Sequence, residues 1–110
     1  MEETVPKYLF QASLSREGVM GTLKEGGSSR RAEITKETEN MGGTVETFYY
    51  AFGATDSYVI VDLPDNETAA AMALAVSGSG AGSVTTTILL TPEEIDAAAQ
   101  KTVHYRPPGS

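Results

Sequence analysis

Six consecutive residues, Gly26-Gly27-Ser28-Ser29-Arg30-Arg31, hold the densest chemistry in this chain. Glycines let backbone N–H groups approach a ligand, hydroxyls donate, and a helix start attracts anions. Two arginines placed there oppose the helix macrodipole by about 0.3–1 kcal/mol each, a cost that a bound anion or nearby carboxylates would offset. The stretch is not a P-loop, because the Lys-Ser/Thr ending and the preceding strand are missing. A structural reading stands beside the functional one. In it, Arg30 and Arg31 pair with Glu25, Glu33 or a second subunit, and the glycines only interrupt a helix.

Asp56 lies in a turn between two apolar runs and is a candidate general acid or base. An aspartate so placed also serves to bind the backbone of its own turn. Asp62 follows Ile60 and Val61, where a buried carboxylate would have to be paired or perturbed unless it sits at the sheet's end. Gln11, Tyr49, Thr85 and Thr87 offer polar lining for an otherwise apolar pocket, though Tyr and Thr are also ordinary strand residues. His104 is the one histidine, in the C-terminal tail, and cysteine is absent. No metal site, disulfide framework or cofactor is expected from that inventory.

These groups must be held by a small set of elements. Lys7 to Leu14 is a strand with Tyr8, Phe10 and Ala12 on one side and Leu9, Gln11 and Ser13 on the other. Ser15 caps a short helix reaching about Lys24, and after the glycines Ser28 or Ser29 caps a second, largely polar helix ending at Gly42-Gly43. Thr44 to Asp65 reads as a hairpin with a loop of about three to five residues, treated as the centre of a sheet. In its first strand Phe48, Tyr50 and Phe52 face one way and Val45, Tyr49 and Ala51 the other. In its second, Val59, Val61 and Leu63 oppose Tyr58 and Ile60.

An Ala-rich helix capped by Asp65 or Asn66 comes next, with Met72, Leu74 and Val76 as its larger side chains and Gly78 at its end. Ser77 to Ser83 reads as a mobile loop, and Val84 to Leu90 as the fourth strand. Thr91-Pro92-Glu93-Glu94 is a capping box opening a last helix, with Ile95, Ala98 and Ala99 inward. Residues 1–6 form a leader and 103–110 an extended tail around what is one domain.

The order β-α-β-β-α-β plus a terminal helix implies a ferredoxin-like α+β fold with a four-stranded antiparallel sheet. Both long connections then cover one face, and the other is bare. With apolar groups on both sides of each strand, that face calls for a second copy, so a homodimer or higher homo-oligomer packed through its sheets is expected. The net charge of -7 argues against nucleic acid and anionic membrane as partners. No signal peptide or apolar run of membrane-spanning length is legible, which places the protein in the cytoplasm.

The chain resembles the GYD-domain family, associated with the dimeric α+β barrel superfamily. The resemblance runs from Pro6 to Pro108 and rests on PKYLFQAS, KEGGSSRRAE, VIVDLPD with the Ala-rich helix, and LLTPEEIDAAAQK. It rests also on the loop Phe52-Gly53-Ala54-Thr55-Asp56, where Gly53 and Asp56 match the name-giving Gly-x-Tyr-Asp and Thr55 replaces the tyrosine. The resemblance implies a dimeric α+β barrel. The superfamily includes cofactor-free oxygenases, isomerases and ligand-sensing domains. Three functions are therefore expected to compete. These are a module binding a small molecule or anion in or near the inter-subunit cavity, a cofactor-independent oxygenase or isomerase using that cavity, and an interaction protein without ligand.

Overall fold

The protein's structure, a computed structural model, describes residues 5–110. Most of the leader, residues 1–4, lies outside them. The elements follow in the order β1 (Lys7–Leu14), α1 (Arg16–Glu25), α2 (Gly27–Asn40), β2 (Thr44–Tyr50), β3 (Ser57–Asp62), α3 (Asn66–Gly78), β4 (Gly82–Leu89) and α4 (Pro92–Ala99). All four strands join one antiparallel sheet in the order β2-β3-β1-β4, the ferredoxin-like α+β arrangement. The β2–β3 hairpin is thus not the centre of the sheet. β1 returns between β3 and β4, which leaves β2 as an edge.

Alternation along β1 and β3 builds the core. Tyr8, Phe10, Val59 and Val61 turn to the helix side, joined by Leu63 and by Ala69 of α3, and all six are buried. Burying such a side chain contributes about 1.5–3 kcal/mol. Val45 and Phe48 of β2 pack against this core together. They share a face because the β2–β3 register shifts between Val45 and Thr47, so Val45 stands opposite Val61 and Phe48 opposite Val59. Strict alternation had put Val45 beside Tyr49, and the bulge at Glu46 reverses that phase. Phe52 is not in the strand at all. It belongs to a loop of residues 51–56, longer than expected, and is fully exposed.

The connections are tighter than their composition implies. Ser15 caps α1, its hydroxyl accepting from the Gly18 N–H at 3.1 Å. The cap of α2 is Gly26 rather than Ser28 or Ser29. At φ 89° its N–H donates to the Thr22 carbonyl of α1, while its own carbonyl accepts from Arg30 N–H in α2. One left-handed residue closes one helix and opens the next, which is a conformation suited to glycine. Likewise Ser77–Ser83 is not a long mobile loop: α3 runs to Gly78 and β4 begins at Gly82, opposite Leu14. Ser15 N–H donates to the Ala81 carbonyl at 2.8 Å, and the Ser15 hydroxyl donates to the Gly80 carbonyl.

On α3, Met72 and Ala73 face the core, whereas Leu74 points outward at 71% exposure. Asp65 caps this helix, accepting from the backbone and hydroxyl of Thr68 at 2.8 and 2.7 Å. Those hydrogen bonds, the side-chain one foremost, hold its carboxyl below the ordinary 3.8. A depressed carboxylate contributes stability that is present above its unfolded value and lost as pH falls through the folded one. Urea midpoints of the wild type should therefore drop toward those of Asp65→Asn below pH 4, because Asn caps without titrating.

Thr91 and Glu94 form the expected capping box, with Pro92 in the first turn. Yet α4 has no substantial packing partner among the described residues, and Ile95, Ala98 and Ala99 are exposed rather than inward. Val103 and Tyr105 of the extended tail are exposed too. The radius of gyration, 17.1 Å, exceeds the ~13 Å of a compact chain of this length. Among the described residues, no helix is long and apolar enough to cross a membrane.

Candidate functional site

The helices stand off from the sheet enough to leave a hollow. A cavity of about 120 Å³ lies between the helix side of the sheet and α1, α2 and α3. Phe10, Phe48 and Val59 line it from the strands, Ile34 from α2, and Met72, Ala73 and Val76 from α3. Few polar groups reach it: Thr22, Ser57, Tyr50 and Arg30. Ser57 is buried, paired in register with Ala12 and Tyr50, and so shares their helix-side face.

Beside this cavity lies an outer hollow of about 270 Å³, lined by Gly27, Ser28, Arg31, Phe48 and Tyr50. Phe48 and Tyr50 belong to both and form the partition. Their rings are tilted 57° with centroids 5.2 Å apart. The Tyr50 hydroxyl donates to the Gly27 carbonyl at 3.2 Å, which ties the end of β2 to the first turn of α2. Gly27 suits that contact, since a Cβ there would press on the Tyr50 ring at 3.0 Å. Burial pushes the Tyr50 phenol up, and the charges of Arg30 and Arg31 pull against that shift. Both guanidinium groups therefore act on the partition. Arg30 pairs with Glu25 at 3.3 Å, and Arg31 has no ion-pair partner among the described residues.

The sheet separates the residues that the sequence singled out. Ser28 and Arg31 line the outer hollow and Arg30 the inner cavity, while Ser29 lines neither. Gln11, Tyr49, Asp62, Thr85 and Thr87 share the opposite, open face, where Gln11 stands between Tyr58 and Thr85. Tyr49 and Thr87 occupy the two edge strands with two strands between them.

Both candidate carboxylates have structural partners. Asp62 accepts from Lys7 Nζ at 2.7 Å and from the Thr44 hydroxyl at 3.3 Å, and Lys7 also reaches Glu46 at 2.7 Å. The bonds to Asp62 and then Glu46 raise the Lys7 pKa. Asp56 accepts from the Leu14 N–H at 2.7 Å, and its own N–H donates to the Ala12 carbonyl at 2.8 Å. It fastens the hairpin loop to the end of β1. Neither carboxylate lines either hollow, and His104 is exposed in the tail.

Tyr50 is the site residue that sequence reasoning passed over in favour of Tyr49. The signal was available. Tyr50 alternates with Phe48 onto the core side, so its hydroxyl is a polar atom on an apolar face and needs a partner.

A family model for the GYD domain matches residues 8–99, most of the chain. The chain belongs to the GYD-domain family. No curated protein and no solved structure shows a significant match. In this GYD-domain protein the name-giving loop carries Gly53 at φ 139° and Asp56 bonded to β1, so its matching positions shape the hairpin. The half-exposed Thr55 stands at the remaining one.

Proposed function

We propose that this GYD-domain protein is a homodimeric small-molecule binding module of the cytoplasm, with its ligand held between the sheet and α1–α3. The carrying observation is the apolar cavity of about 120 Å³ with arginines and a tyrosine hydroxyl at one end. Concave, mostly apolar sites with a few placed polar groups are the usual form of small-molecule sites. The sequence places the ligand in or near an inter-subunit cavity, whereas this hollow lies within one subunit. A cofactor-independent enzyme would need a proton acceptor there. Among the described residues, the ionisable side chains lining the two hollows are Tyr50, Arg30 and Arg31, without a carboxylate or histidine, and that favours binding over turnover.

The dimer rests on the open sheet face. Tyr49 and Tyr58 are exposed there, beside the half-buried Leu9 and Ile60. The face is not uniformly apolar as the strands had implied. The register gathers Gln11, Ser13, Thr85 and Thr87 into a polar band along β1 and β4, which centres an apolar contact on β2 and β3. A chain without cysteine asks for no oxidising compartment.

Sedimentation should give twice the chain mass, falling to one chain in Ile60→Glu. Compact apolar probes, neutral and anionic, should raise the melting temperature of the wild type but not of Ala73→Leu, which fills the cavity. A single-chain wild type would remove the dimer. No shift with any probe would remove the binding role.

A further inference from the structure

Phe48 and Tyr50 line both hollows, which adjoin at these rings and differ in size and in the polar groups they offer, and that difference specifies a class of ligand. Building on the binding role proposed above, we infer that the ligand is a small amphiphilic monocarboxylate. Its apolar body, of about one aromatic ring or a short alkyl chain, fills the inner cavity, and its carboxylate meets Arg31 in the outer hollow.

Size comes from the inner chamber. At about 120 Å³ it is slightly smaller than the ~150 Å³ apolar cavity that accepts benzene, so the body has roughly that bulk. Its character comes from Phe48, Val59, Met72 and Val76, which offer dispersion contacts and no hydrogen bonds.

Charge comes from the outer chamber. This chain carries a net -7, yet among the described residues no carboxylate lines either hollow, and two consecutive arginines stand at their junction. Arg30 is partly neutralised by Glu25, whereas Arg31 has no ion-pair partner among the described residues and lines the hollow beside Ser28. A guanidinium offers a planar fork of donors that matches a carboxylate bidentately, and the Ser28 hydroxyl supplies a further donor. One uncompensated guanidinium balances one negative charge. A phosphate ester with a second charge would meet the surplus acidity of the rest of the chain, so the monoanion is the better fit. Tyr50 acts as a positioning residue. Its hydroxyl, bonded to the Gly27 carbonyl, holds the ring where body and head group meet.

The test is titration calorimetry on the full chain with two matched pairs: benzoate against benzyl alcohol, and hexanoate against hexanol. Each carboxylate should bind about tenfold or more tightly than its alcohol, the weight of one charge-assisted contact. Arg31→Gln should abolish that preference, and Arg31→Lys should restore part of it. Alcohols binding as tightly as carboxylates in the wild type would overturn the inference and leave the binding role standing. So would a preference that survives Arg31→Gln. Failure of all four probes to bind would overturn both.

Discussion

Gly18→Ala should destabilise the protein by about 2–3 kcal/mol, whereas Gly21→Ala, one turn later in α1, should stabilise it by about 0.5–1 kcal/mol. The helix is the same and so is the added methyl group, so the opposite signs come from the surroundings. A Cβ on Gly18 would collide with the Ala81 carbonyl oxygen and come within 3.2 Å of the Leu14 side chain. The Ala81 oxygen cannot retreat freely, since it accepts from the Ser15 N–H. Either α1 shifts or that hydrogen bond is lost. At Gly21 a Cβ would meet nothing within 4 Å, which leaves only the helix preference of alanine and the reduced freedom of the unfolded chain. Urea unfolding of both variants checks this through the midpoint at constant slope. Equal and small effects at the two positions would mean that α1 does not lie against the α3–β4 connection.

The second large effect is expected at Leu63. Leu63→Ala should cost about 3–4 kcal/mol, and Leu74→Ala less than about 0.5 kcal/mol. Leu63 is wholly buried just beyond β3, where its N–H donates to the Pro6 carbonyl at 3.1 Å. Its side chain lies so close to Gly43 that a Cβ there would overlap it, so truncation opens a hole with little chance of collapse. Leu74 is the same residue type on a regular helix, but most of its surface is in water. Calorimetric melting of the two variants side by side gives the comparison. A cost at Leu74 approaching that at Leu63 would show that α3 is rotated from the face described.

Both pairs bear on function through one feature, the sheet as a divider. Core, cavity and arginines lie on its helix side, and the candidate dimer surface lies on the other. On the proposed reading, assembly and ligand binding use separate side chains. A charge at Ile60 and a loss of charge at Arg31 are then expected to have independent consequences.

Much of this architecture was legible because it depends on groups close together in the chain. Ser15, Asp65 and the Thr91–Glu94 box cap helices whose free N–H groups lie two or three residues away. Alternation in β1 and β3 grouped the residues that share a face, because neither pairing of β1 carries a register shift. The Ser28–Arg31 stretch stood out by composition, and three of its four residues line one or other hollow.

Tertiary structure decided whatever hangs on a distant partner. The bulge that turns Val45 inward exists only in pairing with β3, and β2 is an edge only because β1 returns to the middle. Local patterning gave Ile95 an inward face, but a helix buries only the side that another element meets. Tyr50 and Gly27 are separated by 23 positions, and their contact, which partitions the cleft, follows from helix–sheet packing and from no local preference.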